Sequence, residues 1–274
     1  MGWCDWMVQK QNLHSHTLYC DGKNTVDEMV HMAINRGFST LGFSGHGYYG
    51  PDAFTMDADR ERLYRRDVLV AKEKYKGQIS IFLGVEEELN GKKYSKAEYD
   101  FVIGSVHHLK CSIDESKQIQ REEIERYYEN DFLAYAKAYY EKVEEYANRD
   151  EVDIIGHLDL IMKFNEEEDL CLFENTQYLV YAYHCIDVLV AANKIFEVNT
   201  GAIARGYRTL PYPHITLLKY IHDCGGKICI NSDCHNQEYL DCAYDLAYCL
   251  AQEAGFTSHM ILTNSGWKEV EFSF

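Results

Sequence analysis

The stretch Leu13-His14-Ser15-His16 places two histidines one residue apart near the start of the chain. In an extended backbone the side chains at i and i+2 share a face, so His14 and His16 can offer two imidazoles to one metal ion. A lone His-x-His pair is more often packing or surface than a metal site. The company downstream gives it meaning: Asp21, His46, Glu86, His107, His157 and Asp233-Cys234-His235, most of them placed where an apolar run ends.

Outward from that stretch the pattern is strand, helix, strand, helix. A first strand is predicted to end at His16. Thr25 to Arg36 carries Val26, Met29, Val30, Ala33 and Ile34 at helical spacing, with Thr25 and Glu28 as a capping box and Gly37 as the stop. Thr40 to Ser44 is a short apolar run before His46. A charged helix from Asp57 to Tyr75 leads into a strand from Ile79 to Val85, with Glu86 after it. Phe101 to Val106 delivers His107. One long helix, Arg121 to Ala147, precedes the strand Val152 to Gly156 and then His157. A helix from Thr176 to Ala192 leads to the strand Ile195 to Asn199. A helix from Ile215 to Asp223 leads to the strand Lys227 to Asn231, and Asp233 and His235 follow.

Seven strands alternating with helices predict parallel pairing. Closing such a sheet into a barrel brings the C-terminal strand ends, and with them the metal-binding residue types, to one mouth. The segment 259–274 is expected to append a strand or hairpin to a single barrel domain spanning 1–274.

A chain of 274 residues with 46% hydrophobic positions can bury a full core, and its three prolines and lack of Gly/Ser-rich runs leave no linker to cut at. No apolar run is long enough to span a bilayer and no charged-then-apolar leader opens the chain, so a cytoplasmic protein without a membrane partner is expected. Ten cysteines without a Cys-x-x-Cys pair read as those of a reducing compartment, most of them small buried hydrophobes, with packing roles expected for Cys20 and Cys234 as well. The net charge of −17 argues against a nucleic-acid partner, which wants basic stripes. A small anionic substrate remains compatible, because distant surface charge is screened within roughly 10 Å.

His14-Ser15-His16-Thr17 with Asp21-Gly22, Ser44-Gly45-His46-Gly47, Gly84-Val85-Glu86, Gly104-Ser105-Val106-His107, Gly156-His157-Leu158-Asp159, Glu197-Val198-Asn199-Thr200-Gly201 and Ser232-Asp233-Cys234-His235 resemble, in order, the motifs of the PHP (polymerase and histidinol phosphatase) superfamily. Asp100 to His107 and Glu197 to Arg205 most resemble stand-alone histidinol-phosphate phosphatases. The resemblance implies an α/β fold, a distorted (β/α)7 TIM-like barrel with a metal site at the C-terminal ends of the strands. It also implies two or three divalent ions, zinc, manganese or iron. The implied ligands are His14, His16, Asp21, His46, Glu86, His107, His157, Asp233 and His235. One position departs: some histidinol phosphatases carry a histidine six residues after the second motif histidine, where this chain has Gly22 beside Asp21. That feature looks like the superfamily's nucleotide-phosphate phosphatases.

The implied activity is metal-dependent hydrolysis of L-histidinol phosphate to L-histidinol and phosphate, in histidine biosynthesis, with another phosphate ester such as a nucleotide as the alternative. A phosphate monoester resists hydrolysis because its dianion repels a nucleophile and its alkoxide leaves poorly. A metal-bridging hydroxide held through Glu86, Asp21 and Asp233 would stand in line with phosphorus while the ions neutralise the equatorial oxygens, which answers the repulsion. Arg205, after the sixth strand, is the expected phosphate clamp, since a guanidinium offers a bidentate fork, with Lys163 second. Among the remaining residues, His108 is expected to face away from His107, Glu88 is the fallback for Glu86, and Arg208 reads as surface. His31, His184, His222 and His259 read as ordinary, His214 opens a helix beside Pro213 and is not counted as a substrate contact, and Tyr48 and Tyr49 could line the pocket. Two other classes share parts of the pattern, a metal-dependent amidohydrolase and a non-catalytic module with a decayed site; the extra ligands Asp21, Glu86 and His107 speak against the first and the full ligand set against the second.

Overall fold

The computed structural model describes residues 10–50, 54–166 and 172–272. Its parallel strands are β1 (Gln11–Asn12), β2 (Thr40–Phe43), β3 (Ser80–Glu88), β4 (Phe101–Ser105), β5 (Ile154–Ile155), β6 (Ile195–Asn199) and β7 (Lys227–Asn231). They lie side by side in sequence order, every neighbouring pair parallel. The outer edges meet where Ser15 bridges Cys234: His16 N–H donates to the Cys234 carbonyl at 3.0 Å and Cys234 N–H to the His14 carbonyl at 3.2 Å. The result is a nearly closed seven-stranded barrel.

Around it run α1 (Val26–Asn35), α2 (Ala58–Lys74), α3 (Lys117–Tyr127), α4 (Phe132–Glu144), α5 (Thr176–Ala191), the single turn α6 (Gly201–Ala204), α7 (Ile215–Asp223) and α8 (Tyr244–Glu253). Period-2 alternation sorts the strand residues into two cores. Ile81, Leu83, Val85, Val102, Ile155, Phe196, Val198, Ile228 and Ile230 face the helices. Phe82, Phe101, Ile103, Ile154, Ile195 and Cys229 form a separate cluster inside the barrel. The inner space is tight: a Cβ on Gly84 would lie 2.2 Å from the Phe101 ring, and one on Gly156 would lie 2.4 Å from Ser105 Oγ.

An antiparallel hairpin of β8 (Ser258–Thr263) and β9 (Gly266–Glu271) closes the N-terminal end of the barrel. Met260, Leu262 and Trp267 pack on the inner cluster, Trp267 Nε1 donates to Asp153 Oδ1 at 3.1 Å, and Leu262 N–H donates to Gln11 Oε1 at 2.9 Å. The tail expected as a strand or hairpin is therefore a hairpin; residues 1–9 and 273–274 of the expected domain lie outside the described residues. No described cysteine is disulfide-bonded, and no described helix is long and apolar enough to cross a membrane.

Four expectations change. β1 ends at Asn12, so His14 and His16 lie in the extended segment beyond it. β3 runs on to Glu88, because its last residues pair with β4 and carry Glu86 within the strand. The long helix divides at Glu129 and Asn130, whose φ of 54° and 58° end α3, while the Asp131 carboxylate accepts from Leu133 and Ala134 N–H and starts α4. β3 and β4 are joined without a helix: residues 89–100 lack helical periodicity, and buried Tyr94 and Tyr99 pin them, the Tyr94 hydroxyl accepting from Tyr48 N–H and the Tyr99 hydroxyl donating to Glu61.

Candidate metal centre

The nine residues singled out from the sequence meet at the C-terminal end of the barrel, around the Glu86 carboxylate. Glu86 Oε2 lies 2.9 Å from His46 Nδ1, 3.3 Å from His14 Nε2 and 3.6 Å from His16 Nε2. Its Oε1 lies 3.1 Å from His157 Nε2 and 3.4 Å from His107 Nε2. Asp233 Oδ1 is 3.3 Å from His16 Nε2 and 3.6 Å from both His14 Nε2 and His235 Nδ1. Asp21 completes the far side, 3.1 Å from His235 Nε2, 3.5 Å from His16 Nδ1 and 3.6 Å from His46 Nε2.

Three overlapping groups place one donor atom from each member within 4.8 Å of the others: His16, Asp21, His46 and His235; His14, His16 and Glu86; His46, Glu86 and His107. Nitrogen and carboxylate donors so arranged can hold a divalent metal. The fit has a second sign. His14 Nε2, His16 Nε2 and Glu86 Oε2 are buried without a hydrogen-bond partner among the described residues, facing one another. Buried polar atoms are ordinarily paired, and a shared cation would satisfy all three.

Charge reinforces the arrangement. Burial alone would raise the Glu86 carboxyl, yet His14, His46 and His107 hold it well below its usual range. Asp233 is likewise held low against burial, by Arg205 and His14. Burial, aided by the neighbouring His235 and His46, pushes His16 down to about 3, whereas Glu86 and Glu88 carry His107 up to about 10 against its burial.

Backbone geometry serves the same mouth. His157 and Asp233 adopt φ of 21° and 47°, strained values for residues with side chains, and such strain collects at functional sites. A Cβ on Gly201 would lie 2.7 Å from Asp233 Oδ2. At Gly22 a Cβ would lie 2.5 Å from the His16 carbonyl carbon and from Thr17 N, so the turn after His16 excludes a histidine there, and Asp21 supplies the acid.

A cavity of about 520 Å³ opens over the cluster, with Phe54, Asp114, Lys163, Arg205 and Tyr207 in its wall. Arg205 caps α6; its Nη2 donates to Asp233 Oδ2 at 3.0 Å and its Nη1 lies 3.0 Å from His235 Nδ1. Lys163 is pinned to Asp114, donating to its carbonyl at 2.7 Å and its carboxylate at 3.2 Å. Arg208, expected on the surface, is buried: Nη1 donates to the Met162 carbonyl at 2.8 Å and the guanidinium lies over the Tyr212 ring. Its charge is met by carboxylates, Glu166 Oε1 at 3.9 Å from Nε and buried Asp159 nearby, while the carbonyl and the ring add to its burial.

His108 stays out of the three donor groups, its ring tilted against Tyr49 at 4.5 Å between centroids. Glu88 supports His107 by accepting its backbone N–H at 2.8 Å and lying 3.1 Å from its Nδ1. Sequence reasoning assigned no role to Glu197 or Asp114. Glu197 was visible as the one acid inside the apolar run Ile195 to Val198; Asp114, in the loop after β4, carried no local signal.

A parallel barrel whose mouth gathers imidazoles and carboxylates is the frame of a metal-dependent hydrolase. The PHP domain model matches residues 12–201, and the chain belongs to the PHP domain family. A probable histidinol-phosphatase of Schizosaccharomyces pombe is 27% identical over 269 residues, 89% of this chain and 87% of the relative. Another, from Deinococcus radiodurans, is 27% identical over 235 residues, 81% of this chain and 85% of the relative. The crystal structure of histidinol phosphate phosphatase from Lactococcus lactis, complexed with zinc, L-histidinol and phosphate, shares the fold at a TM-score of 0.72 and 18% identity, covering 95% of this chain and 99% of that one.

Proposed function

We propose that the protein hydrolyses L-histidinol phosphate to L-histidinol and phosphate. The observation that carries the reading is the set of three donor groups linked pairwise through His16, His46 and Glu86 beneath the cavity; the relatives' names supply the substrate. His14, His16, Asp21, His46, Glu86, His107, His157, Asp233 and His235 would hold two or three divalent ions, and mixed nitrogen and oxygen donors accept zinc, manganese or iron. Such ions supply a nucleophile from water at neutral pH and neutralise charge on phosphate oxygens.

The chain's own residues do the rest. Arg205 presents its guanidinium to the same space as Asp233 and His235, where it can take a phosphate oxygen in a charge-assisted pair. Lys163 adds positive charge farther along the wall, balanced by Asp114. The cavity is of the size that encloses a small ligand. Phe54 offers it a partly exposed ring suited to an imidazole, and Glu115 has the sign an ammonium group needs.

A nucleotide ester is the second reading, favoured by Asp21 standing next to Gly22. Phosphate release by the zinc- or manganese-loaded protein from L-histidinol phosphate, nucleoside monophosphates and a phosphotyrosine peptide decides between them. Preference for L-histidinol phosphate is expected; preference for a nucleotide selects the second reading, and no release from any ester refutes both.

A further inference from the structure

Glu197, in the middle of β6, is fully buried, and both its carboxylate oxygens are saturated. Oε1 accepts from His14 Nδ1 at 2.7 Å and from Asn231 Nδ2 at 2.9 Å. Oε2 accepts from the His157 backbone N–H at 3.0 Å and from Asn199 Nδ2 at 2.8 Å. Neither asparagine is free to turn over, because Asn231 Oδ1 accepts from Leu13 N–H and Asn199 Oδ1 from Gly201 N–H, each at 2.8 Å. An ionised carboxylate only accepts, so His14 Nδ1 is the donor of its pair. A neutral His14 then keeps its lone pair on Nε2, the buried atom without a hydrogen-bond partner 3.3 Å from Glu86 Oε2.

We infer that Glu197 is a positioning residue of the metal centre, acting on two ligands at once. It fixes His14 as the Nδ1–H tautomer and braces the backbone of His157 in its strained conformation. The inference rests on the proposed metal role of His14 and His157. Glu197 touches neither cavity nor substrate; its effect passes through the two histidines it joins, one beyond β1 and the other beyond β5.

Glutamine at this position preserves volume but replaces one acceptor oxygen with a donor. The His157 N–H cannot accept, and the two asparagine amides are held by their other contacts. The partner able to adapt is His14, which would accept at Nδ1 and move its proton to Nε2, the atom a metal requires.

The test measures zinc affinity of wild type, E197Q and E197D by competition with a chromophoric chelator, and follows the His14 Nδ1 proton in zinc-loaded, nitrogen-15 histidine-labelled protein by NMR. E197Q is expected to bind zinc roughly 10- to 100-fold more weakly and to lose the His14 Nδ1–H resonance, with its circular dichroism unchanged; E197D is expected to recover part of the affinity. Equal affinity in wild type and E197Q overturns the inference alone. So does a zinc-loaded wild type whose His14 lacks an Nδ1 proton, a result that needs no variant to fold. A wild type that binds neither zinc nor manganese overturns the metal reading together with the inference.

Discussion

The two ends of the barrel are built from the same strands in the same phase and differ in almost everything else. β3 sends Phe82 into the apolar floor and, two steps of alternation later, Glu86 into the mouth; β7 sends Cys229 to the floor, and the chain beyond it brings Asp233 to the mouth. At the floor, apolar side chains are sealed under Met260, Leu262 and Trp267 of the hairpin. At the mouth, buried polar atoms face one another without partners, and two residues hold positive φ. The contrast teaches that this fold gathers cohesion at one end and leaves the other frustrated, which is where a functional site is expected.

The contrast breaks first at the mouth. Asp233→Ala or His16→Ala is expected to lower turnover on the order of 10³-fold or more while circular dichroism stays native. Treatment with a chelator should do the same, and zinc or manganese should restore the rate. Full activity in both variants would mean that the mouth is ordinary buried polarity. At the floor the reverse is expected. Phe101→Ala removes a ring buried beneath Gly84 and Gly42 and should cost about 3–5 kcal/mol in chemical denaturation, with kcat/KM of the folded fraction little changed. A variant that loses activity as fully as stability would show that the ends are not separate.

Arg205 sharpens the comparison within the mouth. Because it touches Asp233 and His235 while facing the cavity, Arg205→Ala is expected to raise KM roughly ten- to a hundredfold, with a smaller change in kcat. An unchanged KM would assign the guanidinium to holding Asp233 and not to substrate.

Most of the floor and of the helix-facing core was legible in the sequence, because burial on both faces turns strands into apolar runs; Ile195 to Asn199 and Lys227 to Asn231 stand where the pattern put them. The convergence of nine polar residues was legible from their phase at strand ends, with their ligand role carried by the proposal above. What failed to show were features that depend on three-dimensional partners. The helix break at Glu129 and Asn130 hides in a polar stretch where left-handed φ carries no compositional mark. The burial of Arg208 depends on the Met162 carbonyl, 46 residues away, and the coupling of Glu197 to His14 spans 183 residues.

The smallest expected effect sits on the outer face of the hairpin that seals the floor, where one residue behaves like the mouth. His259, on β8, is buried against Tyr248 and Phe272, and neither ring nitrogen has a hydrogen-bond partner among the described residues. Burial alone pushes its pKa from 6.5 down to about 4, with no charged neighbour contributing. The folded state therefore disfavours the proton that the unfolded chain accepts below pH 6.5. Between about 6.5 and 4 the unfolded chain binds more protons, so stability falls as pH falls. By pH 5.5 the loss from this one group is about 1 kcal/mol. His259→Phe keeps an aromatic ring in the apolar site and cannot be protonated. Urea unfolding of both proteins at pH 7.5 and pH 5.5 should show the variant losing about 1 kcal/mol less than wild type over that interval. Parallel losses in the two proteins would mean that the imidazole finds a partner or solvent in the folded state and that burial does not hold it neutral.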